Sequence, residues 1–267
     1  MALVVALAAA SSVAVLVAVL VHVIVQGLPA LNLDFFTQRP SPFGETGGGV
    51  APAIVGTLYM LAIAAIVGIP VGIGTGVYLS EFGRGNFAVA VRLAIDLIAG
   101  LPSIVVGVFV WALLVRQVVG QYSGLAGAVA LAIIMVPIIT RTVEEVLLLV
   151  PDSLREASFA LGTPNWRTIL RVVLPTARAG LVTGIMLSLA RAGGETAPLL
   201  LTALGNDFLN LNLLRPMASL PVQIFNYAMS PYEDWHAKAW GGALVLIAVI
   251  GVLSLVARFA TKGQRPG

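Results

Sequence analysis

Long apolar runs broken by short polar stretches set the pattern of this chain. Three runs, Thr46 to Ser80, Gln117 to Thr140 and Ala239 to Ala257, contain no Asp, Glu, Lys or Arg. A helix needs about 20 apolar residues to cross a bilayer core. Six segments meet that length, roughly 3–26, 51–79, 90–115, 124–143, 179–203 and 239–258. None alternates with period two, so the pattern predicts an all-α membrane protein of six transmembrane helices rather than a β-barrel. The first run is too long, and lacks the basic start, for a signal peptide. It reads as an extra first helix before a core at about 51–258, with all of 1–267 as one transmembrane domain.

Composition agrees. Of 267 residues, 59% are hydrophobic and 10% charged, against about 25% charged in ordinary globular domains. Cysteine is absent, and the two histidines, His22 and His236, are far apart, which excludes thiol chemistry and any Cys/His metal cluster. The net charge of +3 is better explained by loop asymmetry than by nucleic acid. Placing both termini in the cytoplasm puts Arg84, Arg92, Arg141, Arg155, Arg167, Arg171, Arg178, Arg258, Lys262 and Arg265 inside. Only Arg39, Arg116, Arg215 and Lys238 then lie outside, as the positive-inside rule requires. The outer loop at about 204–238 carries Phe208, Phe225, Tyr227, Tyr232 and Trp235, rings that favour the headgroup level. Residues 40–50 read as a flexible outer loop.

The loop at about 141–178 is the most informative interruption. Pro151-Asp152-Ser153 predicts a helix start, with Glu156 at capping-box distance from Ser153. Ala157, Ser158, Ala160 and Gly162 are small enough for a partner surface to come close, and Leu154, Phe159 and Leu161 offer apolar anchors. Gly162 and Pro164 end this helix. A second piece, Asn165 to Val173, is expected to stop near Pro175. Patterning alone leaves two readings open, a docking element for a soluble partner or an amphipathic hairpin lying on the membrane.

Two charges fall inside the fifth span. Arg191 and Glu195 are four apart and share a helix face, with Ser188 and Gly184 on the same stripe. From Arg178 to Arg191 a helix rises roughly 20 Å. A charge at that depth costs about 3 kcal/mol even on lenient scales, so it meets a partner or a water-filled path. The pair therefore reads either as a structural ion pair or as a site on an anion path, for which the arginine fork is well suited. Arg92 and Asp96 predict a local interfacial bridge. Gly68, Gly72 and Gly76 give small-xxx-small packing. Pro102 and Pro137 predict kinks. The two lysines, Lys238 and Lys262, lie in no phosphate-cradling P-loop, so ATP hydrolysis by that route is not expected of this chain.

Glu156-Ala157-Ser158, then Gly162, then Val172-x-Leu174-Pro175 resembles the EAA motif of bacterial ABC importer permeases, with Ser for Ala and Val for Ile. The stretch from Ser188 to Ala203, SLARAGGETAPLLLTA, resembles the phosphate-importer branch, the PstA-type permeases, with Gly193 where Ile is usual. Similar matches run from Val77-Tyr78-Leu79-Ser80-Glu81 through Gly100-Leu101-Pro102-Ser103 and Pro216–Ile224 to SPYEDWHAKAW. The resemblance implies a type I ABC importer fold with a cytoplasmic coupling helix between helices 4 and 5. Glu156, Ala157, Ser158 and Gly162 would meet the ATPase, and Arg191, Glu195 and Ser188 would border the substrate path.

It also implies a PstC-type permease as heterodimer partner, two copies of a PstB-type ATPase that bind ATP and Mg, and an extracytoplasmic PstS-type phosphate-binding protein. Inorganic phosphate would be carried by alternating access. No catalytic residue, metal, cofactor or nucleic acid is expected of this chain, which would sit in the inner membrane among lipid. The alternatives are a permease for another anion such as sulfate or molybdate, or a secondary transporter or channel gated by Arg191 and Glu195.

Overall fold

The computed structural model describes residues 1–42 and 44–262. Arg265 and Phe43 lie outside the described residues. The described residues are helical, apart from turns and one isolated bridge between Pro40 and Gly48. Helix α1 (Ala2–Gly27) leads to the short α2 (Leu33–Thr37) and to α3 (Ala51–Val77), which runs on into a wide π turn, Tyr78–Phe82. Then come α4 (Asn86–Gly100), α5 (Ser103–Val110) with its π continuation Trp111–Val119, and α6 (Gly124–Leu148). Next are α7 (Asp152–Ala160), α8 (Asn165–Thr168) and α9 (Leu174–Gly193). Helices α10 (Ala197–Thr202), α11 (Leu220–Ala228) and α12 (Glu233–Lys262) complete the chain. Among the described residues, five helices are long and apolar enough to cross a membrane, or up to six if the bent α4–α5 pair counts as one span.

Helix α6 is the central post. Lipid gives no hydrophobic drive between helices, so close contact through small residues must hold them. The expected glycine stripe of α3 does this. A Cβ on Gly72 would stand 2.7 Å from the Ile139 side chain, and one on Gly76 would stand 2.6 Å from Val143. Thr140 Oγ1 adds a 3.3 Å hydrogen bond to the Gly72 carbonyl. On the other side of α6, Gly180 and Gly184 of α9 seat Val146 and Thr142 in the same way. Helix α12 closes against α9 and α11, and α1 lies outside it, touching it through His22 edge-on to Trp240 and through Gly27.

Two expected spans are drawn differently. The segment at 90–115 is not one helix, because α4 and α5 meet at 104° across Leu101 and Pro102. Proline cannot donate into the ladder, and it forces Leu101 to an extended ψ of 137°. The insert's second piece does not stop at Pro175. Asn165–Gly193 is continuous, because the π turn Ile169–Val173 widens the helix where the proline ring would meet the carbonyl four residues back. The fifth span thus begins at 165 and ends at 193, not 179 and 203. Pro137, like Pro70, stays inside an unbroken helix.

The loop at 40–50 is pinned rather than free. Gly49 N–H donates to Arg39 O, Val50 N–H to Phe35 O, and buried Lys238 bonds both Asp234 and the Gly47 carbonyl. Of the outer-loop rings, Tyr227 and Trp235 pack into a core with Phe35 and Val50 instead of facing headgroups, while Phe208 and Phe225 are exposed.

Candidate coupling helix and charged path

Helix α7 stands at the end of the bundle where α3, α4 and α6 bring their charges together. It starts at Asp152 after Pro151, with no side-chain cap. Ser153 is therefore inside the first turn, and the expected capping box with Glu156 does not form. Its other end does follow the sequence: Gly162 takes φ +73°, its N–H bonds Phe159 O at 2.9 Å, and Thr163 N–H bonds Ser158 O at 3.2 Å. These two bonds are the Schellman stop.

Glu156, Ala157 and Gly162 are exposed, alongside the apolar Leu154, Phe159 and Leu161, the last 85% exposed. Trp166, stacked with the Arg167 guanidinium at 5.1 Å, extends the patch. Ser158 faces the other way: it is buried, with its hydroxyl 2.8 Å from that of Thr168. Small size is needed there for packing on α8 rather than for a partner's approach.

The charges behind α7 were not legible as a group. Arg155 reaches Glu81 at 2.7 and 3.3 Å, and Glu81 lies on the π turn after α3. The Glu81 hydrogen bond holds the Arg155 guanidinium above its ordinary pKa, against the burial that lowers it. The expected Arg92–Asp96 bridge is replaced by a larger network. Arg92 bonds Glu144 at 2.7 Å and the Leu79 carbonyl at 2.9 Å, while Arg141 bonds both Asp96 and Glu144. Glu144, almost wholly buried, takes an arginine on each side. A carboxylate at the edge of an apolar span, near a surplus of arginines, was the available signal.

Arg191 and Glu195 lie further along the bundle and are held more loosely. Helix α9 ends at Gly193, so Arg191 occupies its last turn and Glu195 the loop beyond it. The pair bridges a helix end instead of sharing a helical face. Among the described residues its one ion-pair contact is 3.6 Å, from Arg191 Nε to Glu195 Oε1, and the arginine side chain is 54% exposed. Ser188 is fully buried and bonds the Ile185 carbonyl, and Gly184 is packed on Thr142. The predicted stripe therefore divides, with Gly184 and Ser188 packed inward and Arg191 free to meet something else. At the far end of the bundle a cleft of about 740 Å³ opens between Arg39, Asp207, Phe208, Gln223 and Trp235.

A bundle organised around one post, with a short exposed helix at one end, is the arrangement found in the membrane subunit of a binding-protein-dependent transporter, and the sequence carries the same assignment. Residues 68–266 match the family described as "Binding-protein-dependent transport system inner membrane component", and the chain belongs to that family. It is 45% identical over 242 residues to the "Phosphate transport system permease protein PstA" of Yersinia pestis, covering 90% of this chain and 82% of that protein. It is 44% identical over 225 residues to "Phosphate transport system permease protein PstA 1" of Mycobacterium tuberculosis strain H37Rv, covering 83% and 73%. Among solved structures, an inward-facing form of the MetNI methionine ABC transporter shares the fold, a type I ABC importer permease fold. Its TM-score is 0.58 at 23% identity, covering 80% of this chain and 91% of that one.

Proposed function

We propose that this chain is the membrane permease subunit of an ATP-driven importer of inorganic phosphate. The observation that carries the transport role is α7, a short helix that exposes Glu156, Ala157, Gly162 and apolar anchors while its buried side is tied into the bundle. Such a surface suits docking to a soluble ATPase, and the end that bears it, rich in arginine, faces the cytoplasm. A related permease would complete the path, two ATPase subunits would bind ATP and Mg, and a phosphate-binding protein would dock at the opposite end, where the Arg39 cleft opens. Phosphate itself is supported by the names of the relatives and by the chemistry of Arg191. A half-exposed guanidinium whose one ion-pair contact among the described residues is through Nε, at 3.6 Å, can give two parallel hydrogen bonds to an oxyanion. Glu195, close beside it, keeps the site from trapping the anion.

The test is labelled-phosphate uptake in cells lacking their own importer, supplied with the complete set of four components. Saturable uptake that excess phosphate blocks and excess sulfate or molybdate does not is the expected result. Uptake of sulfate or molybdate in place of phosphate would overturn the substrate, and uptake without the ATPase would overturn the mechanism.

A further inference from the structure

The Arg155 guanidinium has five N–H donors, and each has an acceptor. Nε and one Nη2 hydrogen reach the two oxygens of Glu81, a bidentate pair; the other Nη2 hydrogen reaches Leu147 O at 3.0 Å. Nη1 reaches Val150 O at 2.6 Å and Asp152 Oδ1 at 3.2 Å. One side chain of α7 thus grips the Leu147 carbonyl of α6, the Val150 carbonyl just beyond it and the turn that ends α3. The same turn is held from its other side by Arg92 of α4 through Leu79 O, and Arg92 is tied to Glu144 of α6. By contrast, α7 itself packs poorly: among its residues only Ser158 is buried. Two side-chain links tie it to the bundle, Ser158–Thr168 toward the helix that leads into α9, and Arg155 toward Glu81 after α3 and Leu147 O of α6.

Building on the importer reading above, we propose that Arg155 and Glu81 are positioning residues for translocation, the link through which movement of α7 reaches α3 and the bent α4–α5 pair. A helix pushed by an ATPase can move the bundle only through contacts stiff enough to carry the push. A fully satisfied arginine clamp between three helix ends is such a contact, whereas the exposed face of α7 is not. Without the pair, α7 would still dock and the ATPase would still turn over, but its closure would be absorbed by the turns at 149–151 and 161–164.

The test uses the complete complex in proteoliposomes, measuring ATP hydrolysis and phosphate uptake together. The variants are Glu81→Gln, which keeps the shape, and Arg155→Lys. Glu81→Gln is expected to hydrolyse ATP within about twofold of native while phosphate moved per ATP falls about tenfold, a coupling loss of ordinary allosteric size. Arg155→Lys, which keeps the charge but not the fork, should retain part of that ratio. A second readout does not depend on phosphate. The chain has no cysteine, and a Cβ on Gly194 would meet only the Ala190 and Arg191 carbonyls, at an ordinary 3.8 Å, so Gly194→Cys gives this chain one label site beside Arg191 and Glu195. Its rate of labelling by a membrane-impermeant maleimide should change when nucleotide is trapped in the otherwise native complex and not in the Glu81→Gln complex. Unchanged phosphate per ATP in Glu81→Gln, or hydrolysis and uptake lost together in proportion to lost assembly, would overturn the proposal. If the native complex moved no phosphate, the substrate reading would fall while the labelling comparison still decided the pair.

Discussion

Two charged regions of this bundle differ in a way that separates holding from handling. At the α7 end, Glu144 is buried between Arg92 and Arg141, with contacts of 2.7 and 3.1 Å, and Asp96 and the Leu79 carbonyl complete the set. Near the end of α9, Arg191 has, among the described residues, one ion-pair partner at 3.6 Å and is half exposed. A buried carboxylate must be paired to be tolerated at all, so the first region is built to stay as it is. The second leaves donors on Arg191 uncommitted, and an oxyanion can take them at little cost in lost contacts.

The contrast can be broken most forcefully at Glu144. Glu144→Ala leaves two arginines without their shared carboxylate; breaking a fully buried pair costs about 3–5 kcal/mol, and because the arginines are a third exposed the loss falls toward the lower end of that range. The variant should melt well below native in a detergent thermal-shift assay and accumulate poorly in membranes. Gly76→Leu attacks the same end through packing instead of charge. Its side chain would collide with Val143, and overpacking of this kind costs about 1–3 kcal/mol, seen as a smaller fall in melting temperature. Glu195→Gln should be the mildest for stability. A partly exposed pair is worth at most about 1 kcal/mol, so its melting curve should lie close to native. Its effect should appear in transport, as slower release of phosphate and lower turnover.

What the sequence made legible were features written in local period. Apolar runs located four of the six expected spans, a four-residue glycine repeat located the α3–α6 seam, and the spacing from Glu156 to Gly162 located α7 and its stop. Features that depend on a partner far along the chain were hidden. Arg92 had Asp96 one turn away, yet its side chain goes to Glu144, 52 residues on. Arg155 pairs with Glu81 across 74 residues. Proline was ambiguous for a related reason. Pro102 ends one helix and turns the chain by 104°, whereas Pro175 is absorbed by a π turn, and nothing in either residue alone says which. The Arg191–Glu195 spacing suggested a shared helix face because the fifth span was carried on to 203; Gly193 and Gly194 end it between them.

The measurement closest to the central claim compares Arg191→Gln with the native chain in the complete four-component system, at matched membrane levels and matched ATPase association. The account predicts a complex as stable as native that has lost most of its phosphate uptake, with Arg191→Lys recovering part of it. Full uptake by Arg191→Gln, or a complex that melts as early as Glu144→Ala, would contradict it and return the pair to a structural role.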